Sequence, residues 1–233
     1  MCDALFPGRY DRNKSSITEE DQQNLRTKKV CVVGCGGLGG GIIESLTRIG
    51  VGHITAVDCD VFEDSNLNRQ VLSNENNMGS SKALEAMRQM NEINSEVTVT
   101  PIQQRLNREN AETIVHGHDL VIDALDNIGA RLVIEDACEA ENITLIHGAI
   151  EGWNGQVAVI KPKQKLLHEI YGEYDPDHDE IKPESGNLSF TPAVVGAIQA
   201  AEAVKLLLHK ESVLEGRLLV LDLMTHEYEI IEL

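Results

Sequence analysis

The sequence predicts an α/β fold: a doubly wound, mostly parallel sheet with helices on both faces and an antiparallel C-terminal extension. Three observations predict it. An apolar strand, Val30 to Val33, runs straight into the glycine-rich turn Gly34-Cys35-Gly36-Gly37-Leu38-Gly39 with a helix behind it. Strand and helix signals then alternate as far as residue 147. After Gly148 the alternation stops and the tail reads as strand pairs around one long helix.

The elements follow in chain order. Thr18-x-x-Asp21 is a capping-box pattern and opens a short polar helix to about Arg26. Strands are expected at 29–34, 53–58, 97–102, 119–123 and 143–147. The helices between them are expected at about 37–49, 80–93, 107–116 and 128–141. Trp153 to Lys161 reads as a further strand, whereas 162–191 shows no period and carries the acidic run Glu173 to Glu180. Pro192 is expected as the first residue of a long helix to about His209. Arg217–Asp222 and His226–Glu232 close the chain as an antiparallel pair. The expected organisation is an N-terminal segment (1–28), a nucleotide-binding core (29–150) and a C-terminal extension (151–233), built as one structural domain.

Composition narrows the function. A formal net charge of −18 opposes broad contact with a phosphate backbone or an anionic lipid surface, so neither nucleic acid nor membrane is an expected partner. The N-terminal residues lack the basic and apolar regions of a signal peptide, and Ala193–Leu208 is too short and too polar to span a bilayer. The five cysteines include no CxxC pair, which fits reduced thiols and a cytoplasmic location. Cys35, inside the turn, reads as a small buried side chain rather than a nucleophile, because no base is evident near it.

The candidate site gathers where strands end. Gly34, Gly36, Gly37 and Gly39 form a Rossmann-type phosphate cradle at a helix N-terminus. Asp58, 24 residues after Gly34 at the end of the second strand, is placed for ribose hydroxyls. Asp60, Asn66, Arg69 and Gln70 follow in a polar loop. Lys82 opens a helix, where the dipole disfavours a cation, which a neighbouring phosphate would explain. Asp126, past the fourth strand, could hold Mg²⁺ on a triphosphate, with Asn127 or Asp126 itself capping the next helix. His116 and His118 read as solvated rather than metal-ligating, and the acidic run as a solvated loop.

Taken together, Arg9-Tyr10-Asp11-Arg12, the Gly34–Gly39 turn, Asp58-x-Asp60, Ser65-Asn66-Leu67-Asn68-Arg69-Gln70, Lys82, Asp126-Asn127, Gly148-Ala149 and Gly155-Gln156 resemble the ThiF/MoeB/HesA adenylyltransferases. These are bacterial relatives of the ubiquitin-activating enzymes. The resemblance implies ATP and Mg²⁺, with Gly37 near the phosphates and Asp58 on the ribose. Asn66, Arg69 and Lys82 would lie on the phosphate chain, Asp126 on the metal, and Arg12 would be an arginine finger delivered by the partner of a homodimer. It implies as substrate the C-terminal Gly-Gly carboxylate of a small ubiquitin-like (β-grasp) sulfur carrier, attacking the α-phosphorus to give an acyl adenylate and pyrophosphate.

The chemistry suits the residues independently. A carboxylate is already ionised at pH 7, so alignment and charge neutralisation suffice and no general base is needed. The chain departs from the family in one respect. Many members carry two CxxC pairs for structural zinc near 162–190 and some a catalytic cysteine there, whereas this chain has no cysteine after Cys138. No structural zinc is expected.

Three other readings compete. An NAD-dependent oxidoreductase fits the glycine turn and Asp58 but leaves Arg69, Lys82 and Asp126 unexplained. A tRNA threonylcarbamoyladenosine dehydratase would also activate a carboxylate with ATP, but the acidic charge disfavours tRNA. A non-catalytic scaffold for a ubiquitin-like protein would not need the full set of ATP residues.

Overall fold

The computed structural model describes residues 8–172 and 186–232. The N-terminal heptapeptide with Cys2 and the acidic run 173–180 lie outside the described residues.

One eight-stranded sheet organises the chain, in the order β3-β2-β1-β4-β5-β6-β7-β8. The strands are β1 (Lys29–Val33), β2 (His53–Val57), β3 (Thr98–Ile102), β4 (Leu120–Asp123), β5 (Leu145–Glu151), β6 (Asn154–Ile160), β7 (Arg217–Asp222) and β8 (Glu227–Glu232). Strands β1 to β5 pair in parallel, and β6, β7 and β8 each pair antiparallel with the strand before. The helices are α1 (Glu19–Leu25), α2 (Gly37–Ile49), α3 (Lys82–Ile93), α4 (Ala111–Val115), α5 (Ile128–Ala140), α6 (Leu166–Tyr171) and α7 (Phe190–Leu207).

Alternation along the buried strands sorts the two faces. Val30, Val32, Ile54, Leu120, Ile122 and Ile146 face α2, α3 and α7. Cys31, Val33, Val121 and Leu145 face α4, α5 and α6. The apolar α7, long enough in composition to suggest a span, packs against α2, β5 and β6. The order in which strands are laid down reverses between β1, from which the chain moves outward to β2, and β4, from which it moves the other way to β5. That switch point opens a crevice at the carboxyl ends of the strands.

Most expected elements match. The α1 capping box forms in both directions, Asp21 N–H to Thr18 Oγ1 and Thr18 N–H to Asp21 Oδ2, each at 3.0 Å. Four expectations need correction. α4 begins at Ala111 rather than 107, because the Asn107 carboxamide accepts the N–H groups of Glu109 and Asn110 and winds a turn first. β5 continues to Glu151 because it pairs with β6 through a tight hairpin. Pro192 is the third helical residue, not the first, as α7 starts at Phe190. The stretch 162–191 contains α6, whose N-terminal N–H groups on Leu167 and His168 are accepted by the Glu135 carboxylate, 33 or fewer residues upstream. No local pattern announces a cap from that distance.

Candidate nucleotide-binding site

The glycine turn sits at the switch point. Gly34 has φ +101°, and a Cβ there would lie 2.4 Å from the Ala124 carbonyl oxygen beyond β4. A Cβ on Gly39 would come within 1.7 Å of the Gly34 oxygen. Only glycine fits either position. Among the described residues no side chain caps the start of α2 at Gly36, which leaves its first-turn N–H groups open to an anion.

Asp58 braces the turn. Its Oδ2 accepts the Cys35 N–H and its Oδ1 the Asp60 N–H, both at 2.8 Å. Burial pushes its carboxyl above the usual carboxylate range, and the two N–H donors and Lys82 pull it back down. Each oxygen still has a lone pair for a hydroxyl donor. The Lys82 ammonium is buried, 3.5 Å from Asp60 Oδ2. It stands at the first residue of α3, behind a Ser81 cap that accepts the Leu84 N–H. Cys35 is fully buried, and burial raises its thiol well above the ordinary range. It is packing, not a nucleophile.

The polar loop closes the opposite side. The buried Gln70 amide packs on Gly36, and its Oε1 is buried without a hydrogen-bond partner among the described residues. Arg69 lies against Gly37 and donates to the Ser65 carbonyl at 2.9 Å and to Asn68 Oδ1 at 3.0 Å. The Asn66 carboxamide accepts the Glu63 N–H at 3.1 Å and donates to Ser65 Oγ at 3.4 Å, which shapes the loop. An open cleft of ≈ 540 Å³ runs from Gly37 and Arg69 along the outer side of α2 to Ala193 and Ala197 of α7. Asp58 and Lys82 are not among its lining residues.

Beyond β4, Asn127 caps α5 by accepting the Ala130 N–H at 2.8 Å. Asp126 is exposed and has no hydrogen bond or ion pair among the described residues. A lone, unengaged carboxylate beside a phosphate cradle suits Mg²⁺, which takes one or two carboxylates and completes its shell with phosphate oxygens and water.

Arg12 is not brought to this cluster in its own chain. Tyr10 is buried against Gly50 at the far end of α2, and Asn13 donates to Gln22, which donates to the Ile49 carbonyl. A 13-residue helix is about 20 Å long, farther than an arginine side chain reaches. Arg12 itself is exposed.

One group of buried polar residues escaped the sequence reading: Asp123, His147, Arg131 and Tyr171, on the α5–α6 face. The available signal was positional, since Asp123 and His147 each follow an apolar pair on adjacent parallel strands, Val121-Ile122 and Leu145-Ile146. The two histidines of the 116–118 turn part company, His116 to Glu141 at 2.5 Å and His118 to Thr55 at 2.7 Å. They share no metal.

The switch-point crevice, the glycine turn and the Lys82–Asp60 pair beside Asp58 belong to an α/β protein of Rossmann type. Comparison with known proteins narrows the class: the ThiF family model matches residues 10–233, and the chain belongs to the ThiF family. It is 38% identical over 232 residues to the SAMP-activating enzyme E1 of Haloferax volcanii, covering 98% of this chain and 86% of that one. It is 38% identical to a sulfur carrier protein adenylyltransferase of Thermus thermophilus, covering 92% and 82%. A molybdopterin-synthase adenylyltransferase of Salmonella typhimurium is 33% identical, covering 92% and 86%. Among solved structures, E. coli MccB with succinimide superposes with a TM-score of 0.84 at 21% identity, over 98% of this chain and 72% of that one. That likeness establishes the shared fold.

Proposed function

We propose that this chain is an adenylyltransferase that uses ATP to activate the C-terminal Gly-Gly carboxylate of a small ubiquitin-like sulfur-carrier protein, releasing pyrophosphate. The observation that carries the reading is the cluster at the switch point, Asp58, Lys82, Arg69 and Gln70 around an uncapped helix N-terminus. The names of the relatives at 33% identity and above agree with it.

In this reading the α2 N–H groups and Gly37 hold the phosphates, and Asp58 takes the ribose. The Gln70 amide nitrogen, beside Gly36, lies at the edge of the cradle. Lys82 and Arg69 neutralise phosphate charge, and Lys82, paired with the exposed Asp60 at 3.5 Å, keeps further N–H donors for a phosphate. Mg²⁺, held by Asp126, would supply further charge neutralisation on the phosphate oxygens. The carrier's carboxylate attacks the α-phosphorus, its C–O–P bond forms, and the bond to the pyrophosphate oxygen breaks. No proton moves in that step, and the site contributes alignment and electrostatics.

The anchoring of Tyr10 and Asn13 at the far end of α2 supports delivery of Arg12 to a second copy's site. The open cleft beside Gly37 and Arg69 gives that residue an approach. The enzyme is then a homodimer with shared sites. Pyrophosphate exchange into ATP tests the reading: it should require Mg²⁺ and a carrier with an intact Gly-Gly end. Exchange without any carrier would point to another carboxylate substrate, and a melting temperature raised by NAD but not by ATP would favour the oxidoreductase.

A further inference from the structure

The reading above leaves a buried polar cluster without a task. Asp123 ends β4 and His147 lies beside it on β5, both fully buried. The His147 Nδ1–H donates to Asp123 Oδ2 at 2.7 Å. Its Nε2 is therefore the acceptor for the Gln156 amide at 3.1 Å. Burial keeps His147 below its usual pKa, against the pull of Asp123, so the ring is neutral and Arg131 is the countercharge, its Nε 3.8 Å from Asp123 Oδ2.

The remaining bonds converge on one residue. Asp123 Oδ1 accepts the Leu125 N–H at 2.9 Å. Arg131 Nη2 donates to the Leu125 carbonyl at 2.8 Å. Both peptide units around Leu125 are thus held, and the second of them supplies the nitrogen of Asp126. Because the Asp126 side chain has no partner of its own among the described residues, the peptide before it decides where it points. Arg131 is held in turn by the Tyr171 hydroxyl at 3.2 Å, with its guanidinium 5.7 Å from the ring centroid. The same hydroxyl accepts the Gln156 amide at 2.7 Å. Tyr171 is the last residue of α6. From the other sheet face, Gln199 of α7 donates to the Asp123 carbonyl at 2.8 Å.

Apolar side chains would fill this space at lower cost than a buried ion pair. What the pair adds is one geometry: the guanidinium is tied through Nη1 and Nη2, while its Nε, 3.8 Å from Asp123 Oδ2, makes no hydrogen bond among the described residues. We propose that Asp123 and Arg131 are positioning residues that clamp the Leu125 peptides and so aim Asp126, with Tyr171 locking Arg131 from the end of α6. The proposal rests on Asp126 being the magnesium carboxylate.

The test uses the full chain as wild type, Tyr171→Phe, which removes one hydroxyl and keeps the ring, and Arg131→Lys, which keeps the charge and loses the fork. Amide hydrogen exchange over 124–127 should speed up in both variants, while 120–123 stays protected. Mg²⁺ titrated at fixed ATP, read by the melting temperature, should need about tenfold more metal for half its effect, as loss of a ligand-orienting partner typically costs. The midpoint for ATP without Mg²⁺ should not move. Unchanged exchange at 124–127 in both variants, or loosened exchange with no change in the Mg²⁺ midpoint, overturns the proposal. If wild type itself shows no Mg²⁺ effect, the assignment of Asp126 fails instead, and the exchange data alone then decide whether the clamp exists.

Discussion

Asn94 and Tyr10, 84 residues apart in sequence, meet at the buried end of α2, where the Asn94 amide donates to the Tyr10 hydroxyl at 2.8 Å and to the Thr47 carbonyl at 2.9 Å. Arg9 donates to the Asn94 carboxamide oxygen. The N-terminal segment is thereby pinned at the end of the molecule opposite the glycine cradle, and Arg12 is presented outward from there.

Arg12→Ala should therefore fold and assemble normally yet lose activity by roughly 10³-fold, the scale of an arginine finger's contribution. Mixed one to one with Asp126→Ala, it should recover about a quarter of wild-type exchange, because half the dimers are mixed and each holds one intact site of two. Exchange rates after confirmed subunit mixing check this. No recovery would place Arg12 outside the active site.

Asp126→Ala should abolish Mg²⁺-dependent exchange and leave thermal stability within about 0.5 kcal/mol, the usual range for an exposed residue without partners. Melting curves alongside pyrophosphate exchange read both quantities. Near-normal turnover would remove Asp126 from the site.

Gly39→Ala should behave in the opposite manner. The added methyl would press on the Gly34 carbonyl at 1.7 Å, backbone against backbone, with no flexible neighbour to yield. Overpacking of this kind costs typically 1–3 kcal/mol or more, and here the displaced atoms also form the cradle. A lowered melting temperature together with lost ATP stabilisation is expected. A variant that binds ATP normally would contradict the close approach.

Purified protein should carry no stoichiometric zinc. Cys31, Cys35 and Cys138 are buried in the apolar sheet–helix layers, and burial drives their thiols upward, that of Cys31 to about 12. A thiolate ligand must lose that proton. Elemental analysis after dialysis decides it, and about one zinc per chain would overturn the expectation.

Stability should fall as the solution is acidified below about pH 6.5, and the sign follows from two histidines. Burial lowers the folded-state pKa of both His147 and His118 from the ordinary 6.5. Above 6.5 neither state is protonated and nothing is lost. Below it the unfolded chain takes up protons first, so stability declines as pH falls towards the folded values. Each histidine contributes up to about 1.4 kcal/mol per pH unit in that window. Unfolding titrations from pH 8 to 5 measure the slope, and His118→Asn should lower it. A flat profile would mean that neither ring is held neutral.

How much of this was legible depends on the range of the interaction. The glycine turn, the capping box and α2 lie within a few residues, so periodicity and residue type declare them. The positions of Asp58, Lys82 and Asp126 at strand and helix ends follow from the alternation itself. That Asn66 also accepts the Glu63 N–H depends on a loop geometry that spacing does not reveal. Glu135 and Arg131 sat in the apolar helix 128–141 without any mark of function, since their partners in α6 lie 32 to 40 residues onward. Tertiary pairing alone distinguishes them from surface charges.

Among the described residues the outer strand β8 leaves one side of its backbone unpaired, with Tyr228 and Ile230 exposed on it. Such a margin invites a second strand, and charge on the strand is a usual deterrent. Here Glu227 and Glu229 provide that charge. Their repulsion, added to a net charge of −18, keeps like edges apart at neutral pH and fades as the solution nears the sequence pI of ≈ 4.7. At this rim Glu227 and Glu229 stand against edge-to-edge pairing, while Glu232 is paired with Arg217 at 2.9 Å.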